Sequence, residues 1–158
     1  MAASPASKAS VDLDDLPGHH IRRLHQIAVA LFLQETEPLG LTPVQYAALQ
    51  GVANAPGIDQ RTLARTIGLD TSTTGGVVDR LEARGLLLRN ANPDDRRVRL
   101  LTLTDTGHTL LADARPAMLR AQQRILEPLP APERAEFMRL LRSLVAANNA
   151  ASRAPSEV

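Results

Sequence analysis

The chain has 158 residues and a formal net charge of +1, which suits one domain around one core and excludes a polycation. Hydrophobic residues make up 44% and aromatics only 2%, so the core is expected to be aliphatic and a stacking platform for single-stranded nucleic acid is excluded. There is no cysteine, which removes disulfides, thiol sensing and Cys-based zinc sites. The opening MAASPASKAS has no apolar signal region, and no run approaches a membrane span, so a soluble, cytoplasmic protein is expected.

Residues 1–10 and 151–158 are rich in Ala, Ser and Pro and are expected to be disordered tails around a single domain, 11–150. The first helix is predicted over about 15–37, with Ile21, Leu24, Ala28 and Leu31 at helical spacing and Ile27 and Phe32 widening the stripe. Its apolar residues cover more than one face, so part of it is expected to bury against a second subunit. Thr42 and Pro43 read as the N-cap and first residue of a second helix, with Val44, Ala48, Leu49 and Val52 inward. A short helix capped by Asp59 follows and breaks at Gly68. The next begins at Asp70 or Thr71, turns Val77, Val78 and Leu81 inward, and ends at Gly85.

The period then changes. Leu86–Arg89 and Val98–Leu103 read as two strands, with NANPDDRR as the turn between them. Thr104 or Asp105 opens a long helix containing Pro116, which is expected to bend it. A last helix is expected to turn Phe137, Leu140, Leu141 and Leu144 inward. The fold class is therefore mainly α with a two-stranded wing: a winged helix-turn-helix over about 42–104, with helices 15–37 and 105–148 set apart as a dimerisation region.

LTPVQYAALQ, STTGGVVDRLEARGLLLR and NPDDRRVRLLTLTDTG follow one another in the order and spacing of a known family. Together they make the chain resemble the MarR family of bacterial transcription regulators across about residues 15–148. LPGHHIRRLHQIAVALF followed by STTGGVVDRLEARG is similar to the members that control aromatic-acid or nicotinate degradation. The resemblance implies a homodimer on double-stranded DNA that lets go when a small aromatic acid binds.

The recognition helix offers free backbone N–H groups and a positive dipole end, which suit phosphates and base edges. Ser72, Thr73 and Thr74 are short enough to approach a groove, and Arg80 and Arg84 follow along the helix. The bland alternative is that Ser72 and Thr73 help to cap the helix and that Arg84 is a solvated charge. Gly75 and Gly76 weaken the helix, each by ~1 kcal/mol relative to Ala. Their bare backbone at Gly76 is read as permitting close approach to DNA. At the wing tip Arg96 and Arg97 can reach a minor groove, and Asp95 is expected to pair with the Arg97 guanidinium. Asp79 is assigned a structural role.

A carboxylate ligand wants a cation and an apolar slot. His19, Arg22, Arg23 and Gln26 share one face of the first helix, and Tyr46 is a wall or a hydroxyl donor. The bland readings are a solvated helix start for the histidines and ordinary core for Tyr46. No metal and no cofactor are expected, and no enzyme: a phosphate loop, a Gly-x-Ser-x-Gly elbow and a cysteine nucleophile are all missing from the sequence. The leading reading is a homodimeric repressor of palindromic operators released by an aromatic acid. Its rivals are a winged-helix protein–protein module without DNA binding, and a family member that senses nothing small.

Overall fold

A computed structural model describes residues 10–156, so the N-terminal tail expected to be disordered lies outside the described residues up to Ala9. Among the described residues, six α-helices and a small sheet follow one another: α1 (Pro17–Thr36), α2 (Pro43–Asn54), β1 (Ile58–Asp59), α3 (Gln60–Ile67), α4 (Thr71–Ala83), β2 (Leu87–Ala91), β3 (Arg99–Leu103), α5 (Asp105–Leu126) and α6 (Ala131–Asn148).

Local chemistry sets the boundaries. Thr36 is fully buried at the end of α1, where its hydroxyl donates to the carbonyls of Phe32 and Leu41. That hydroxyl ties the last turn of α1 to the segment that leads into α2. Thr42 and Gln45 form a reciprocal capping box on α2, with Pro43 in its first turn. Asp59, Asp70 and Thr104 cap α3, α4 and α5 through their side-chain oxygens, which settles the two caps left open between neighbouring residues. α3 stops at Gly68 (φ 68°) and α4 gives way to β2 through Gly85 (φ 71°), a left-handed conformation that glycine adopts without Cβ strain.

The sheet has three strands in the order β1-β3-β2, all antiparallel. The expected two-stranded wing is formed by β2 and β3, and β1 adds a third strand to its sheet by pairing Ile58 with Leu101 and Asp59 with Leu100. In the hairpin proper, Leu87 faces Leu103 and Ala91 faces Arg99. Leu87 and Leu101 point inward and join Leu49, Leu63, Val78 and Leu81 in one continuous core. Each of these six is fully buried, and a buried Leu or Val side chain contributes roughly 1.5–3 kcal/mol.

The wing locks onto α5 through a contact only glycine allows. Thr104 donates from its backbone N–H to the Leu86 carbonyl (3.1 Å) and from its hydroxyl to that of Gly85 (2.7 Å). A Cβ at Gly107 would lie 1.9 Å from the Leu86 carbonyl oxygen. Farther along, Arg120 and Arg124 reach Glu35 on α1 at 2.9 and 3.1 Å, tying the long helix to the first. α5 runs through Pro116 as one helix.

Two expectations are corrected. α6 has no buried residue: Leu140, Leu141 and Leu144 are 47%, 38% and 57% exposed, so they do not turn inward within the chain. Residues 151–156 are not a loose tail. The Asn149 amide donates to the Ser156 carbonyl (2.8 Å) and accepts from its N–H (3.0 Å), and Ser156 lies against Gly68 at the turn before α4.

Candidate nucleic-acid interface and ligand groove

Asp70 caps α4 by accepting from the Thr73 backbone N–H (2.8 Å) and hydroxyl (2.6 Å). Those hydrogen bonds, with the Thr73 hydroxyl foremost, hold the Asp70 carboxyl below its usual range. Ser72 and Thr73 stay exposed at the positive end of the helix. Thr74 does not: it is fully buried and its hydroxyl donates to the Asp70 carbonyl (2.9 Å). It is therefore corrected from a groove contact to a packing residue, because the helix phase turns it toward the core.

Gly75 and Gly76 do different work. A Cβ at Gly75 would come within 3.0 Å of the Gln60 amide nitrogen, so its bareness serves the approach of α3 to α4. A Cβ at Gly76 would meet only the Arg80 guanidinium, at 3.8 Å. Arg80 is exposed and folds back along the helix over that bare backbone. Arg84, by contrast, turns away and donates to the carbonyls of Gly40 (2.9 Å) and Leu39 (3.0 Å). Its guanidinium braces α4 against the turn between α1 and α2, which is neither the DNA contact expected of it nor a free solvated charge.

The sequence did not single out Arg89, which sits at the junction of helix and wing. Its guanidinium donates to Asp79 and Glu82 of α4 and reaches the Gly75 carbonyl at 3.4 Å. Asp79 thus has the structural role expected of it. The only signal available was a lone Arg in an apolar strand, which a hydropathy pattern cannot distinguish from an outward charge.

At the wing tip the Asp95 carboxylate accepts from the Arg97 backbone N–H (3.0 Å) rather than from its guanidinium. Two residues is the span of an Asx turn, so the backbone donor is the nearer partner. This corrects the expected pairing. It also leaves Arg96 and Arg97 extended into solvent, with no described residue engaging either guanidinium.

On the opposite side of α2 a groove of about 420 Å³ runs between α1, α3 and α5. Its walls include Phe32, Ile67 and Met118, with Gln50, Asn54 and Gln122 among its polar groups. Tyr46 packs edge-on against Phe32 (5.9 Å between ring centres) and donates to Gln50 (3.3 Å), which in turn donates to Asn54 (2.7 Å). Burial pushes the Tyr46 phenol up, and the charge of Arg115 acts against that shift. Tyr46 is therefore both core and groove wall. The expected partners on α1 are not brought to it. At roughly 1.5 Å per residue, Arg22 precedes Phe32 by about 15 Å of helix axis and His19 by about 20 Å. Instead, Arg22 donates to His19 (3.4 Å) and His20 to the Asp14 carbonyl (2.8 Å), while Arg23 and Gln26 are exposed. Among the described residues, no helix is long and apolar enough to cross a membrane.

Comparison with known proteins agrees with this geometry. Residues 41–98, the stretch from the end of α1 to the wing turn, match the profile of the MarR family. The chain is 37% identical over 128 residues, covering 80% of it and 77% of the relative, to a protein named as a transcriptional regulator of the hcr operon in Thauera aromatica. Among solved structures, it is similar to the PcaV transcriptional regulator of Streptomyces coelicolor in complex with its natural ligand (40% identity, TM-score 0.80, covering 88% of this chain and 98% of that one). It is also similar to Bordetella bronchiseptica BpsR, whose DNA binding is regulated by 6-hydroxynicotinic acid (30% identity, TM-score 0.81, covering 86% and 97%).

Proposed function

The chain belongs to the MarR family of transcription regulators, and we propose that it acts as a homodimeric repressor of palindromic operators, released by a small aromatic carboxylic acid. The observation that carries this reading is the pair of exposed polar and cationic sets on one winged unit. Ser72, Thr73 and Arg80 lie along α4, and Arg96 and Arg97 extend from the wing tip without partners. On a chain of net charge +1, such local cations mark a docking edge better than bulk charge does. Two copies joined through α1, α5 and α6 would set two recognition helices about 34 Å apart, one turn of DNA.

The groove beside Tyr46 is the site proposed for the acid, and the relatives named above support the ligand class. An acid that binds best to a spacing of the two units unsuited to DNA would release the operator. His19, Arg22, Arg23 and Gln26 of α1 take part only where a second copy brings them to the groove.

A salt-titrated mobility shift on the DNA upstream of the protein's own gene tests the reading. Arg97→Ala should weaken binding about tenfold or more and lower the salt slope by about two, one for each protomer, with the dimer intact. Unchanged affinity would remove the wing from the interface. Repeating the shift with benzoate, cinnamate and nicotinate analogues tests the release.

A further inference from the structure

We infer that the C-terminal segment from Asn149 to Ser156 is a strap seated on the turn between α3 and α4, and that it carries Arg153 to the mouth of the recognition helix as a further contact to DNA phosphates. This rests on the reading of the protein as a DNA-binding regulator, and adds to the interface a residue from outside the winged unit.

The side-chain hydrogen bonds of α6 stay within the helical arm: Arg134 donates to the carbonyls of Glu127 and Leu129, and Asn148 to that of Leu144. Just past α6 the chain returns to the winged unit. Asn149 holds Ser156 by two hydrogen bonds, donating to its carbonyl (2.8 Å) and accepting from its N–H (3.0 Å), which closes the residues between them into a loop. Within it the Ser152 hydroxyl accepts from the Ala154 N–H (3.1 Å), and Pro155 fixes a further backbone angle. A loop ordered in this way has less freedom to lose when it meets a partner.

The loop has a seat. The Ser156 Cβ lies 3.7 Å from where a Cβ on Gly68 would stand. Gly68 ends α3, and Asp70, the cap of α4, follows two residues later. Ala154 and Ser156 are half-buried, whereas Arg153 and Pro155 are exposed. One side of the strap therefore meets the protein and the other carries the guanidinium outward.

Arg153 is the one cation after Arg142 in the sequence, and no described residue accepts a hydrogen bond from its guanidinium. After the Thr73 hydrogen bonds, the charge of Arg153 also helps to hold the Asp70 carboxyl down, as it can only from nearby. Asp70 is exposed, so the cap itself sets a negative charge at the helix end that phosphates approach. A guanidinium beside it offsets that charge, and its planar fork suits a pair of phosphate oxygens.

Fluorescence anisotropy of the full-length protein across a salt series tests the assignment, on a duplex from upstream of its own gene and on an unrelated duplex of equal length. Arg153→Gln should weaken binding about fivefold or more and lower the salt slope by about one for each protomer. The loss should be similar on both duplexes, because phosphates carry no sequence. Arg153→Lys should keep the slope. Asn149→Ala opens the clasp and should weaken binding by about twofold, the cost of ordering the loop anew; an affinity equal to the parent's would mean that the strap does not present Arg153. In an Asp70→Asn background Arg153→Gln should still lower the slope. If Arg153→Gln keeps the parent's affinity, or loses affinity with an unchanged slope, or has no effect once residue 70 is uncharged, the guanidinium serves only the fold and the inference is overturned, while the regulator reading stands. If the parent binds neither duplex, the regulator reading fails and this inference fails with it.

Discussion

α4 and α6 are both amphipathic helices, and a single chain satisfies only one of them. α4 spans 13 residues and buries Thr74, Val77, Val78 and Leu81 against α2, α3 and the sheet. α6 spans 18 residues and buries none. Its Leu140, Leu141, Leu144 and Val145 form a stripe that is between 38% and 57% exposed. The DNA-reading unit therefore closes on contacts from its own sequence, whereas the helical arm presents an apolar face larger than scattered surface residues would make. The difference teaches where the fold ends in one chain and where, on the proposed reading, a second copy begins.

The severest way to break the closed half is at Gly107. Gly107→Ala drives a methyl into the Leu86 carbonyl, and backbone cannot swing aside as a side chain can. We expect a loss of roughly 4 kcal/mol, at the extreme of single substitutions, seen as a lower midpoint in urea denaturation. A midpoint equal to the parent's would mean that the wing and α5 are not locked together.

The open half breaks differently. Leu140→Glu with Leu144→Glu places two charges on the α6 stripe. It should weaken self-association by about 2 kcal/mol or more, measured by sedimentation equilibrium, while the circular dichroism of the winged unit persists. If the parent sediments as a monomer, the stripe has some other occupant and the dimer reading falls.

The unequal halves also explain what the sequence made legible. Caps, turn glycines and the 3.6-residue period are local, so every helix of the winged unit was readable, with Thr42, Asp59 and Asp70 at its boundaries. β1 was not, because two residues carry no alternation and exist as strand only through Leu100 and Leu101 of β3. Thr74 looked like a groove residue by composition, yet one step of helix phase buries it. Arg84 and Arg89 could not be assigned because the partners of Arg84 lie 44 and 45 residues back along the chain and those of Arg89 lie on the preceding helix, α4. The α6 stripe was legible as apolar but not as unpartnered, since a pattern marks a face that seeks burial and not what covers it. For the groove, α1 supplied conspicuous cations in one short string, but the length of the helix carries them away from Tyr46.

Acid should act on the closed half through its helix caps. The Asp59 carboxyl is held below 3.8 chiefly by the Thr62 hydroxyl, and that of Asp70 chiefly by the Thr73 hydroxyl. A depressed folded pKa contributes stability that is present above the unfolded value and is lost as pH falls through the folded one. Thermal melts should therefore drop below about pH 4. Asp59→Asn and Asp70→Asn should lower stability near neutrality and flatten that acid limb. An acid limb identical to the parent's would show that the caps are not the groups titrating.

The smallest effect expected is at Gly76, and it separates folding from reading within the closed half itself. The Gly76→Ala methyl meets only the Arg80 guanidinium, at an ordinary contact distance. The helix should gain a few tenths to ~1 kcal/mol from the lost backbone freedom of the unfolded chain. Gly75→Ala should gain less, because the Gln60 side chain must move aside. If the bare backbone under Arg80 lets the helix sit close to a groove, Gly76→Ala will be the more stable protein and the weaker operator binder, by several-fold in a mobility shift. A variant that gained stability and kept its affinity would mean that Gly76 leaves room for Arg80 to fold back and does nothing for the approach to DNA.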